Sequence, residues 1–169
     1  MKLFSTPTTL FFALFLSVAL IGCGGESTET AETTDSQAPA TEEAASDAIV
    51  IEANDQLQFS VTEFTVAAGE EVTVTLKNVG SLPKETFGHN IVFLNAGVDL
   101  VEYATGAMAN ADNEYLPTDM SQTLAHTSLL GPGEEATITF TAPSEPGRYE
   151  YLCTFPGHYG TMRGVMIVE

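Results

Sequence analysis

Close to its C-terminus the chain reads "YLCTFPGHYGTM", Tyr151 to Met162, placing a histidine five residues after a cysteine and a methionine four residues further on. The whole sequence holds only two cysteines, three histidines and five methionines. Given Cys153, this composition would supply both partners at those offsets by chance about once in two thousand chains. A further imidazole stands at His89, in "GHN". Cys153, His158 and His89 with a weak thioether from Met162 make a trigonal His₂Cys set with a long axial methionine, the donor set of electron-transfer copper sites. Thiolate and thioether favour Cu(I) and imidazole suits both oxidation states, so a geometry fixed by the fold lets an electron pass with little atomic motion. A nucleophilic Cys/His pair is the competing chemistry, but neither an orienting partner nor an oxyanion-donor motif accompanies it.

Short strands must position these donors. Segments of alternating polarity recur at 48–53, 72–78, 89–95, 136–142, 148–153 and 164–169, punctuated by "AAGEE", "GPGEE" and "PSEPG". That spacing predicts an all-β sandwich or barrel. In "RYEYLC" the alternation puts Tyr149, Tyr151 and Cys153 on one inward face, and in "HNIVFLN" His89 shares its face with Ile91 and Phe93. Both donors then stand at strand ends, where they can meet at one end of the fold. His158 is held on the turn between Pro156, Gly157 and Gly160. The segment around 98–115 departs from strand alternation, with apolar residues at helical spacing, and predicts a helical insertion.

The remaining chain bounds the setting. Its 169 residues suffice for one domain, and acidic residues outnumber basic ones 23 to 5. This excludes nucleic acid and anionic lipid as partners recruited by surface charge, and favours partners with basic patches. The apolar run Leu10 to Ile21 is too short to span a membrane and reads as the core of a signal peptide over residues 1–22. It ends in "LIGC", which resembles the lipobox of bacterial lipoproteins and would make Cys23 the lipidated anchor. Cys153 is then the single thiol of the mature chain, so no intramolecular disulfide can form. From Glu26 to Asp47 seven acidic residues occur with no basic and no large apolar side chain, the composition of a disordered tether over 23–47. The head, 48–169, retains 16 acidic against four basic residues.

"GSLPKETFGHNIVF", "LAHTSLLGPGE" and "CTFPGHYGTM" resemble the corresponding segments of azurins, blue copper proteins of the cupredoxin family, and the resemblance extends over essentially the whole head. It implies a Greek-key β-sandwich binding one type 1 copper through His89, Cys153 and His158, with Met162 and the Gly88 carbonyl as weak axial groups. It also implies that Asn90 ties the two ligand-bearing loops together and that Phe155 packs near the site. His158 would be the electron port, within an apolar docking patch for which Leu57, Phe87, Met108, Phe155 and Gly157 are the candidates. His126 is expected to be exposed and not a ligand.

The expected function is non-enzymatic: a monomeric carrier of single electrons between redox proteins such as c-type cytochromes or a terminal oxidase or reductase. It would sit on the periplasmic side of a bacterial membrane, with no small-molecule substrate. Three departures from the family stand out. Asp47 and Glu70 occupy the positions of its usual disulfide, Asn78 replaces a histidine whose protonation is pH-linked, and typical azurins lack a lipid anchor.

Overall fold

The computed structural model describes residues 48–169. The expected signal peptide, the candidate lipidation site Cys23, the expected tether and Asp47 lie outside the described residues. Among the described residues nine strands and two helices follow in order: β1 Ile49–Asn54, β2 Gln58–Phe59, β3 Glu63–Val66, β4 Glu71–Asn78, α1 Lys84–Phe87, β5 Val92–Leu94, α2 Leu100–Ala107, β6 Thr123–His126, β7 Glu135–Thr141, β8 Gly147–Leu152 and β9 Arg163–Val168. A 3-10 turn at Ala111–Asn113 follows α2. The strands form two sheets, ordered β2-β1-β4-β7 and β3-β9-β8-β5-β6. The β1–β4 and β3–β9 pairs run parallel and the other pairs antiparallel.

β4 shows why these sequences become strands. Val72, Val74, Leu76 and Asn78 are buried, while Thr73, Thr75 and Lys77 face outward. On that outer face Thr73 meets Thr139 at 3.2 Å, Thr75 meets Thr137 at 2.8 Å, and Lys77 pairs with Glu135 at 3.3 Å, each across the β4–β7 ladder. Cross-strand pairs of this kind fix register, because a slip of one residue would bury the polar row. Between the sheets the Tyr151 ring lies 5.1 Å from Phe93 and 5.8 Å from both Phe59 and Phe64, separations at which aromatic rings attract.

The expected strand at 89–95 is shorter than its pattern and begins only at Val92. His89 precedes it and makes an isolated bridge with Leu130. Alternation also fails there, since Val92, Phe93 and Leu94 are all buried. The insertion is the cause: α2 lays Leu100, Tyr103, Ala104 and Ala107 over the outer face of β5 and β8, covering Val92, Leu94 and Leu152. Asp99 caps that helix by accepting a 2.8 Å bond from the Glu102 amide. β2, β3 and β6, of two to four residues each, are too short for a period-two pattern to stand out in the sequence. Among the described residues no helix is long and apolar enough to cross a membrane.

Candidate metal centre

One pole of the sandwich gathers the C-terminal ends of β1, β4 and β8 with the N-terminal ends of β5, β7 and β9. The registers Ala53↔Asn78, Lys77↔Glu135, Val92↔Leu152 and Leu152↔Arg163 bring these ends together. Cys153 follows directly on β8 and Met162 directly precedes β9, so the Cys153–Met162 loop closes over the pole. The Cys153 amide donates to the Met162 carbonyl at 2.9 Å, the Met162 amide to the His158 carbonyl at 2.9 Å, and the His158 amide to the Phe155 carbonyl at 3.0 Å. Gly157, at φ 84°, makes the left-handed turn that a side chain would resist.

Opposite, the His89 amide donates to the Leu130 carbonyl at 3.1 Å and the His89 carbonyl accepts the Leu130 amide at 2.7 Å, which fixes the backbone of His89 without a strand. Gly88 is pressed against this turn. A Cβ there would stand 2.7 Å from the Lys84 carbonyl oxygen and 2.9 Å from Leu129 Cγ. Asn90 crosses from one segment to the other. Its Oδ1 accepts the Thr154 amide at 2.9 Å, and its Nδ2 donates to Thr154 Oγ1 at 2.8 Å and to the Glu114 carbonyl at 3.3 Å.

The result is a cluster in which the donor atoms of His89, Cys153 and His158 all lie within 4.8 Å of one another. Cys153 Sγ is 3.6 Å from His158 Nδ1, and the two imidazole centroids are 5.1 Å apart. Met162, the fourth expected donor, is fully buried at the end of the same loop. Phe87 and Phe155 flank His158 with centroids at 4.8 and 4.7 Å, and Phe87 also meets His89 edge-on at 5.7 Å.

These groups fit a metal better than they fit one another. Burial lowers the pKa of His89, against the opposing pull of Asp55 and of the nearby Asn54 carbonyl. Yet neither His89 ring nitrogen has a hydrogen-bond partner. Burial likewise brings His158 down to about 4, helped by His89. The Cys153 thiol is pushed up to about 11 by burial, against the backbone amides of Asn90 and Phe155. A neutral, buried His89 with neither ring nitrogen satisfied, beside a thiol that burial keeps protonated 3.6 Å from His158 Nδ1, forms a costly arrangement. A soft or borderline cation compensates all three at once, since it takes the imidazole lone pairs and stabilises the thiolate.

The remaining candidates fall in different places. Leu57 and Phe87 are half-buried, Phe155 is buried, and Gly157 and Pro156 are exposed. Met108 stands at the C-terminal cap of α2, a helix whose buried face packs on Val92, Leu94 and Leu152. The loop carrying His158 is exposed at Pro156, Gly157 and Gly160, but the histidine itself is only 3 % exposed because the two phenylalanine rings close over it. His126 is exposed at the end of β6, its Nδ1 3.1 Å from the Thr127 carbonyl oxygen, and takes no part in the cluster. Asn78 is buried, donating to the Leu130 carbonyl at 3.1 Å and accepting the Gly80 amide at 2.9 Å. An amide carries no proton that titrates near neutrality, so this position has no pH-linked charge. Sequence reasoning passed over Glu114 and Leu129, which contact the site through Asn90 and Leu130.

Residues 45–169 match the family of copper binding proteins described as plastocyanin/azurin. The chain is 38 % identical over 130 residues to azurin of Pseudomonas aeruginosa, a match covering 75 % of this chain and 87 % of that protein. It is 40 % identical over 119 residues to outer membrane protein H.8 of Neisseria meningitidis, covering 69 % of this chain and 64 % of that one. Among solved structures, dithionite-reduced auracyanin from Roseiflexus castenholzii is 41 % identical, with a TM-score of 0.66 over 74 % of this chain and 98 % of its own.

Proposed function

Because the chain belongs to the plastocyanin/azurin family of copper-binding proteins, we propose that it carries single electrons between redox proteins while tethered to a membrane through a lipidated Cys23. The observation behind this reading is the convergence of the His89, Cys153 and His158 donors within 4.8 Å at a buried pole. The family and this cluster fit a single type 1 copper. His89, Cys153 and His158 would hold the copper, with Met162 and the Gly88 carbonyl as weak further donors. Bound copper supplies the one-electron chemistry, alternating between Cu(I) and Cu(II). The chain supplies the rest: Asn90 and the His89–Leu130 bridge hold the ligands to a compromise geometry, and the aromatic cover excludes water.

His158 is the port. Of the three donors it alone has any exposed surface, 3 % against 0 % for His89 and Cys153. Phe87 and Phe155, whose rings lie against His158, are assigned together with Gly157, Leu57 and Met108 to an apolar collar around it. A collar of this kind supports brief, weak docking. A buried thiol held at about 11 is no ready nucleophile, which favours a non-enzymatic role.

Steering comes from charge. The head's 16 acidic residues against four basic ones attract a cationic partner such as a c-type cytochrome or a terminal reductase or oxidase subunit. Mixing the copper-loaded protein with a cationic c-type cytochrome in a stopped-flow instrument should give a bimolecular rate that drops about tenfold or more from low to high salt. A rate indifferent to salt would remove the steering reading, and no transfer at all would remove the carrier reading.

For the anchor, "LIGC" and the acidic stretch after it support export and lipidation at the periplasmic side of a bacterial membrane, and a relative named as an outer membrane protein agrees with that. In cells fed a labelled fatty acid, the wild-type chain should take up label and the Cys23→Ser variant should not. An unlabelled wild type would refute the anchor and leave the copper site untouched.

A further inference from the structure

The insertion ends in an unusual turn. Glu114 and Tyr115 are consecutive residues with side chains in the left-handed region, at φ 53° and 60°. Such a conformation is uncommon outside glycine and asparagine and persists where surrounding contacts hold it. Here the contacts reach both ligand-bearing segments. The Glu114 carboxylate accepts the Leu129 amide through Oε2 at 3.1 Å, one residue before the bridge partner of His89. Its backbone carbonyl accepts from Asn90 Nδ2 at 3.3 Å, and Asn90 holds Thr154, the neighbour of Cys153. Tyr115 sets its ring edge-on against Phe155 at 4.9 Å, and Phe155 in turn lies against His158.

We propose that Glu114 is a positioning residue of the copper site: its carboxylate bond to the Leu129 amide and its carbonyl bond to Asn90 brace the His89 and Cys153 segments against each other. This rests on the copper reading above. The helical insertion then does more than cover β5, since its last turn sets how tightly the ligand cage is held. The Lys84 ammonium, 3.6 Å from Glu114 Oε1, is a half-exposed partner and adds little to the brace. What counts is an acceptor oxygen at the reach of Glu114 Oε2, so glutamine should serve in its place, whereas glycine offers no acceptor and the oxygen of asparagine stands one methylene short. Glycine and asparagine both suit the left-handed backbone, so these variants remove the carboxylate bond to the Leu129 amide without adding strain and leave the backbone carbonyl bond to Asn90 in place.

The test loads wild type, Glu114→Gln, Glu114→Gly and Glu114→Asn with Cu(II). It then follows metal capture by excess EDTA, the visible and electron paramagnetic resonance spectra, and the thermal midpoint of each protein stripped of metal. Glu114→Gly and Glu114→Asn should release copper about 10-fold faster with broadened copper resonances, while their stripped midpoints stay close to wild type. Glu114→Gln should remain within about twofold of wild type in release. Release from the glycine variant at the wild-type rate would overturn the proposal, as would a glutamine variant as fast as glycine. A wild type that never develops the thiolate-to-copper band would overturn the underlying copper reading, whereas a blue wild type with an unaffected glycine variant overturns the brace alone.

Discussion

Cys153→Ser is expected to give a folded chain that stays colourless with Cu(II), while the wild type turns intensely coloured. The colour comes from charge transfer between a thiolate and copper, and Cys153 is the free cysteine among the described residues. Its sulfur is fully buried, 3.6 Å from His158 Nδ1, where no other thiol can substitute. A serine hydroxyl is smaller, harder and far less acidic, so burial that already pushes the thiol up to about 11 leaves the alcohol protonated. The substitution also places a hydroxyl in a nearly apolar site at a cost of about 1–3 kcal/mol. That is small enough for the sandwich to survive, because the aromatic packing of Phe93 and Tyr151 lies beneath the site rather than in it. His89, His158 and Met162 remain and should still hold Cu(II) weakly. The expected result is therefore loss of the visible band and of the narrow copper hyperfine pattern together, with retained β-sheet circular dichroism. A coloured serine variant, or a wild type without the band, would refute Cys153 as the ligand.

How much of this was legible in the sequence depends on which interactions were local. β4 and β8 announce themselves because one face is core and the other solvent, so Val72, Val74 and Leu76, or Tyr149 and Tyr151, alternate with polar residues. β5 conceals its register because α2 buries its second face, a fact available only once the chain has folded back. Cys153, His158 and Met162 could be read together because a single loop carries them. His89 lies 64 residues earlier than Cys153, and its "GHN" context pointed to a ligand through family resemblance and an assumed strand. The assumed strand was wrong in detail: a bridge to Leu130 does the holding. The closure of Phe87 and Phe155 over His158 and the place of Met108 on the capped end of α2 are tertiary facts with no local signature. Glu114 is the least legible position. Glutamate has no preference for a left-handed backbone, and the amide it satisfies lies 15 residues away.

Gly164→Ala should produce the largest loss of stability, although the residue lies outside the metal cluster. Gly164 pairs with Tyr151 across β8 and β9, and a Cβ built on it would stand 2.3 Å from both Tyr151 Cζ and Oη and 2.7 Å from the Thr62 carbonyl oxygen. The ring cannot retreat freely. It is wedged against Phe59, Phe64 and Phe93, and its hydroxyl donates to the Val61 carbonyl at 2.7 Å. Nor can the Thr62 carbonyl retreat without loss, since it accepts the Val165 amide at 2.9 Å. Overpacking against such surroundings, with a buried hydroxyl losing its acceptor, should cost about 3 kcal/mol or more, or roughly 10 °C in melting temperature. Tyr151 is two residues before Cys153 on the same strand, so a displaced ring also shifts the strand end that carries the thiolate. The blue band of Gly164→Ala should therefore weaken or move before the protein melts. A double-mutant cycle identifies the clash. Tyr151→Leu is itself destabilising by a few kcal/mol, yet joined to Gly164→Ala it should cost about 1–3 kcal/mol less than the sum of the two single changes. The remainder belongs to the Thr62 carbonyl, which no change at Tyr151 relieves. Additive losses in denaturant titrations would show that the methyl group never meets Tyr151, and a Gly164→Ala variant within about 0.5 kcal/mol of wild type, the range of ordinary surface changes, would show that β8 and β9 part easily to admit it.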